Sequence, residues 1–84
     1  MKVYYITFRS VTYAQRGEKL LSENSYRSQL RRTPRWMEER GCGYCLQLMV
    51  ADILPPVQLL KNAGIPMRKV YVQKENGNME EVAL

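Results

Sequence analysis

The chain has no histidine. That removes the usual general base, the Cys–His and Ser–His nucleophile pairs, and the commonest metal ligand. It has two cysteines, and two thiols do not complete the four ligands of a tetrahedral zinc site unless two chains share the metal. Its apolar runs are a few residues long, far short of the roughly 20 that a membrane helix needs. The opening run Met1-Lys2-Val3-Tyr4-Tyr5-Ile6-Thr7-Phe8-Arg9 meets charge early and lacks a small-residue cleavage site, so no secretory leader is expected and the cytoplasm is the default compartment. Thiols in that compartment are reduced rather than bridged.

What the chain does have fits one small domain, residues 1–84, with its core in 2–73. Among 84 residues, 45% are hydrophobic and 25% charged, ordinary values for a folded soluble domain and unlike those of a disordered segment. A chain this short buries only somewhat more than about 60% of its unfolded surface, so modest stability is expected. The net charge of +5 is uneven: residues 1–42 hold nine Lys/Arg and four Asp/Glu, and residues 43–84 hold four of each. This basic half reads either as a solvated surface or as an anion-attracting site.

The hydrophobic pattern predicts the order β-α-β-β-α-β. Lys2 to Phe8 is apolar on both alternating faces, as in a central strand. Ser10 is a good N-cap for a helix from Val11 to about Asn24, with Tyr13, Ala14, Gly17, Leu20 and Leu21 on its apolar stripe. Gly17 costs this helix about 1 kcal/mol relative to alanine and is expected to permit close approach to the sheet. Tyr26 to Arg32 alternates, with Tyr26, Ser28 and Leu30 inward, and Thr33-Pro34 ends it. Tyr44 to Val50 is the next strand. Asp52 to Asn62 is a second helix with Pro55 and Pro56 in its first turn, Val57, Leu59, Leu60 and Ala63 on its buried face, and Gly64 at C′. Met67 to Gln73 is the fourth strand. After the turn signal at residues 75–78, Met79 to Leu84 either returns as an extra edge strand or frays. Right-handed crossovers then give an α+β, ferredoxin-like βαββαβ fold, a four-stranded antiparallel sheet with both helices on one face. A loose echo links Leu21…Asn24-Ser25 with Leu60…Asn62-Ala63-Gly64, each ending a helix before a strand.

In that topology Thr33–Gly43 connects the second and third strands. It is long for a hairpin loop, and excess length of this kind is more often functional or mobile. The loop contains Cys42 between Gly41 and Gly43, with Arg35, Arg40 and Trp36, and Arg31 and Arg32 just before it. A thiolate is the reactive form of cysteine, and cations or converging backbone N–H groups lower its pKa from about 8.5. Glycines on both sides allow such a nest. This setting suits a sulfur anion; the alternative is an inert buried cysteine beside a glycine turn. Cys42 and Cys45 also form a C-x-x-C. If residues 43–45 are extended, their Cα atoms lie about 10 Å apart, beyond the roughly 7 Å limit of a disulfide. Trp36 either covers the thiol or core, or anchors a partner. Glu38 and Glu39 are expected to be solvated or paired with Arg35 or Arg40.

These residues bear a resemblance. The chain resembles the selenium/sulfur carrier-like proteins, small bacterial domains formerly of unknown function. The shared features are Thr7-Phe8 with Ser10 next, Ala14, Glu18-Lys19-Leu20-Leu21, Thr33-Pro34-Arg35, Cys42-Gly43 followed by Leu46, and Asn62-Ala63-Gly64-Ile65. Each motif is short, and only their combination in order, over about residues 2–73, is specific. The resemblance implies that Cys42 carries sulfur or selenium as a persulfide-type adduct, with Pro34-Arg35 in the family's proline-arginine place. Three departures stand out: Trp36 and Met37 in the loop, Cys45 where a small apolar residue is more usual, and the Met79–Leu84 tail.

The leading expectation is therefore a carrier or accessory protein, without a cofactor, that meets sulfur or selenium donor and acceptor proteins. Cys42, Arg35 and Arg40 are its working residues, Gly41, Gly43 and Pro34 shape the anion nest, Cys45 is a second thiol, and Trp36 is a partner contact. The alternatives are a binding or dimerisation module and a C-x-x-C protein that relays redox equivalents or shares a metal between chains. The strands lack the aromatic signature of RNA-binding sheets, so nucleic acid is the less favoured partner.

Overall fold

A computed structural model of the chain describes residues 1–34 and 43–83. The elements are β1 (Lys2–Phe8), α1 (Val11–Glu23), β2 (Ser28–Arg32), β3 (Tyr44–Val50), α2 (Leu54–Asn62), β4 (Val70–Gln73) and β5 (Met79–Glu81). The α+β class is as expected, but the sheet has five strands rather than four, ordered β2-β3-β1-β4-β5 and antiparallel throughout. The added edge strand follows from the turn chemistry. Gly77 takes a positive φ of 86°, Lys74 and Gly77 close the turn through Lys74 N–H to Asn78 O at 2.7 Å and Gly77 N–H to Lys74 O at 2.9 Å, and Lys74 pairs with Glu80. Among the described residues, no helix is long and apolar enough to cross a membrane.

β1 is central, as its two apolar faces require, with β3 on one side and β4 on the other. Its Tyr4, Ile6 and Phe8 lie opposite Leu48, Leu46 and Tyr44 of β3 and share one face with them. Ala14 and Leu21 of α1 and Val57 and Leu60 of α2 join that same core, so both helices cover this face. Burying side chains such as Ile6, Phe8 and Leu46 completely contributes about 1.5–3 kcal/mol each. Gly17 is where the layers meet: a Cβ there would stand 3.3 Å from Phe8, Leu46 and Leu60. The close approach therefore involves α2 as well as the sheet.

Several boundaries differ from the sequence reading. β4 starts at Val70 rather than Met67 because the ladder with β1 becomes irregular. Arg68 N–H donates to Thr7 O at 2.8 Å, and Lys69 N–H donates to the Thr7 hydroxyl oxygen at 3.0 Å rather than to a backbone carbonyl. β2 starts at Ser28, two residues later than expected, because Tyr26 N–H is used to close α1. α2 starts at Leu54, where Asp52 Oδ1 accepts from Leu54 N–H at 3.0 Å, and its buried residues are Pro56, Val57 and Leu60, with Ala63 exposed. Tyr13, expected on the buried stripe of α1, is 36% exposed.

The echo between the two helix ends has a physical basis. Tyr26 N–H donates to Leu21 O at 2.8 Å and Ser25 N–H to Ser22 O at 3.1 Å; Ile65 N–H donates to Leu60 O and Gly64 N–H to Lys61 O, both at 3.0 Å. Both are Schellman closures, which need a left-handed residue at C′. α2 has Gly64 there, at φ 72°, and α1 has Ser25, at φ 67°. A serine in that region is strained by about 1–2 kcal/mol.

Candidate functional site

The hairpin β2–β3 is built by alternation, and its register runs from Ser28 opposite Leu48 to Arg32 opposite Tyr44. One further rung follows, Thr33 N–H to Gly43 O at 3.1 Å. Thr33 and Gly43 are both buried, so the long connection enters and leaves through a pinned pair. Pro34, just outside the rung, is exposed. Arg35, Trp36, Arg40, Gly41 and Cys42 lie outside the described residues, as do Met37, Glu38 and Glu39.

Cys45 lies within β3, so the second half of the C-x-x-C is extended strand, as expected. Its partners across the ladder are Thr7 of β1 and Arg31 of β2, on the face away from the helices. It is a free thiol, only 1% exposed. Burial pushes the thiol pKa up, opposed in part by the Thr33 hydroxyl and the Arg31 guanidinium. The Thr33 hydroxyl oxygen makes no hydrogen bond of good geometry among its neighbours, so its polar contact with the sulfur is weak and desolvation wins. A neutral, shielded thiol is a poor nucleophile.

The Thr7 and Arg31 side chains across the ladder are better satisfied. The buried Thr7 hydroxyl donates to Lys69 O at 3.2 Å and accepts from Lys69 N–H at 3.0 Å. The Arg31 guanidinium donates twice to Gln29 Oε1, at 3.3 and 3.1 Å, which keeps the side chain on the open face beside Cys45. Lys69 pairs with Glu81 at 3.7 Å.

Strand order gathers charge at this end of the sheet. Arg9 follows the end of β1, Arg31 and Arg32 end β2, and Arg68 and Lys69 lead into β4. Thr33–Gly43, the mouth of the cysteine loop, lies at the same end. Sequence reading missed Arg9, Arg68 and Lys69 because they are distant along the chain. The signal was only the basic pair before β4, which had no meaning until topology set it beside the end of β1. Among the described residues, no three histidine, cysteine, aspartate or glutamate side chains cluster as metal ligands would.

The sequence that folds into this sheet and hairpin matches, over residues 3–72, a family described as "Putative Se/S carrier protein-like". The chain belongs to that family. No curated protein and no solved structure matches it.

Proposed function

We propose that the chain is a thiol-based carrier or accessory protein in sulfur or selenium transfer, built on a ferredoxin-like unit of four strands and two helices with one edge strand added. Cys42 holds the atom, Arg35 and Arg40 stabilise its anion, Gly41 and Gly43 bend the backbone around it, and Pro34 sets the start of the loop. Trp36 meets the donor or acceptor protein. The chain acts with partners rather than as a complete enzyme.

The transfer balances without an external oxidant. The Cys42 thiolate attacks the terminal sulfur of a donor protein's persulfide, a Cys42 S–S bond forms, the donor's S–S bond breaks, and the donor leaves as a thiolate. Delivery to an acceptor thiolate is the same exchange reversed. With selenium, the terminal atom is selenium and the bookkeeping is unchanged. The Arg groups lower the energy of the anion on both sides of the exchange.

The observation that carries this reading is the contrast between the two thiols. Cys45 is buried and held protonated, while Cys42 stands in a glycine- and arginine-containing segment of a chain in the carrier-like family. The buried state of Cys45 also argues against a dithiol relay.

Alkylation at graded pH after incubation with a persulfide donor tests it. Cys42 should react at lower pH than a free cysteine and should carry one extra sulfur before alkylation. A Cys42 that titrates as a free thiol and never acquires sulfur ends the proposal.

A further inference from the structure

At the same end of the sheet as the mouth of the loop lies a cavity that the carrier reading does not use. It has a volume of about 530 Å³ and is lined by Arg9, Tyr13, Pro66, Met67, Arg68 and Lys69. Among these described residues three are cations and none is a carboxylate. The other hollows described mix the signs, with Asp52 beside Lys61 in one, Lys2 beside Glu80 in a second, and Lys19 beside Glu18 in a third.

Three segments build the cavity. Arg9 follows β1, Tyr13 lies in the first turn of α1, and residues 66–69 lead into β4. The backbone there is fixed, because Thr7 accepts from Arg68 N–H through its carbonyl and from Lys69 N–H through its hydroxyl. The first turn of α1 has no acidic residue, so nothing in that turn offsets the positive end of the helix. Lys69 pairs with Glu81 at 3.7 Å, and the Glu81 side chain is 56% exposed. So open a pair contributes little.

We infer that this cavity binds a small organic anion, a phosphorylated or sulfonated molecule. Its anionic group meets Arg9, Arg68 and Lys69, and its apolar body rests on Tyr13, Pro66 and Met67. Guanidinium groups present forked donors that match such oxygens. The volume is that of a small-molecule pocket, which runs from about 300 to 1,000 Å³, and a bare oxyanion would leave most of it to water. The site does not depend on Cys42 carrying an adduct.

Amide-resolved NMR titration of the full chain tests the inference, using phenyl phosphate, inorganic phosphate, and sodium chloride at matched ionic strength. Saturable shifts confined to residues 9–13 and 67–69 are expected, with phenyl phosphate binding about fivefold or more tighter than inorganic phosphate. Arg9→Gln, an exposed position whose change spares the core, should weaken phenyl phosphate about tenfold. Lys61→Gln, in another hollow, should leave it unchanged. Shifts that chloride reproduces, shifts spread over all basic residues, equal affinities for the two phosphates, or unaltered binding by the Arg9 variant would each overturn the inference. Repeating the titration on Cys42→Ser separates the two proposals, since this site should survive there whether or not Cys42 is a carrier.

Discussion

The two ends of the sheet differ in charge. Where β1 runs out, Arg9, Arg31, Arg32, Arg68 and Lys69 gather around the hairpin mouth and the cavity, with Glu81 as a carboxylate partner. Where β1 begins, Lys2, Arg27 and Lys74 stand among Asp52, Glu75 and Glu80, and Lys74 is paired with Glu80. This division is not that of the sequence, whose excess charge lies in its first half. Antiparallel pairing carries Arg68 and Lys69, from the neutral half, to the basic end. Charge polarity along the strands is a property of topology, and it falls at the end that bears the cysteine loop.

The largest effect is chemical and lies at the basic end, which bears Cys45 and the mouth of the cysteine loop. Cys42→Ser should abolish the carried atom altogether, while Cys45→Ser should retain it; intact mass after incubation with a persulfide donor reads both. Next comes packing. Phe8, fully buried at the last β1–β3 rung of the basic end, should cost about 3–5 kcal/mol on change to alanine. Val50, half-buried at the first rung of the other end, should cost less than about 2 kcal/mol by the same change. Urea unfolding of the two variants checks the ordering, and equal costs would break the asymmetry.

The Cys45 thiol gives a pH effect of intermediate size. Its folded pKa is raised by burial above the ordinary thiol value, so between the unfolded and folded values the native state holds a proton that the unfolded state has lost. The resulting stability is fully present below the unfolded pKa and is lost as pH rises through the folded one. Wild type should therefore lose stability in alkali faster than Cys45→Ala does, although the variant starts about 1 kcal/mol lower at neutral pH from the lost packing. Parallel alkaline slopes in urea titrations of the two proteins would contradict the assignment. The smallest effects are at the helix ends: Ser25→Gly should stabilise by about 1 kcal/mol, and Gly64→Ser should destabilise by a similar amount. Thermal melts that move in the same direction for both would refute the left-handed closure.

Much of this was legible in the sequence where one rule acted alone. Alternation gave β1 and β3 their full lengths and faces, and the Ser10 cap and the Gly64 stop gave the helix ends. It failed where two segments compete for one group. Thr7 takes the N–H groups of Arg68 and Lys69 and so shortens β4, and no local pattern in either segment announces that. β5 was ambiguous because three exposed or half-buried residues carry little periodicity, and its formation rests on the Gly77 turn. At the candidate site, the C-x-x-C was correctly read as half strand, and the burial of Cys45 could be seen only once Thr7, Arg31 and Thr33 surrounded it. The basic cavity was not legible, since its two groups of residues, 9–13 and 66–69, lie more than fifty positions apart.

The most direct measurement of the central claim is the intact mass of the protein as isolated from cells, for wild type, Cys42→Ser and Cys45→Ser, without reductant. The account predicts an added sulfur or selenium atom on wild type and Cys45→Ser and its absence from Cys42→Ser. An addition that persists in Cys42→Ser, or none on any of the three after exposure to a persulfide donor, would contradict it.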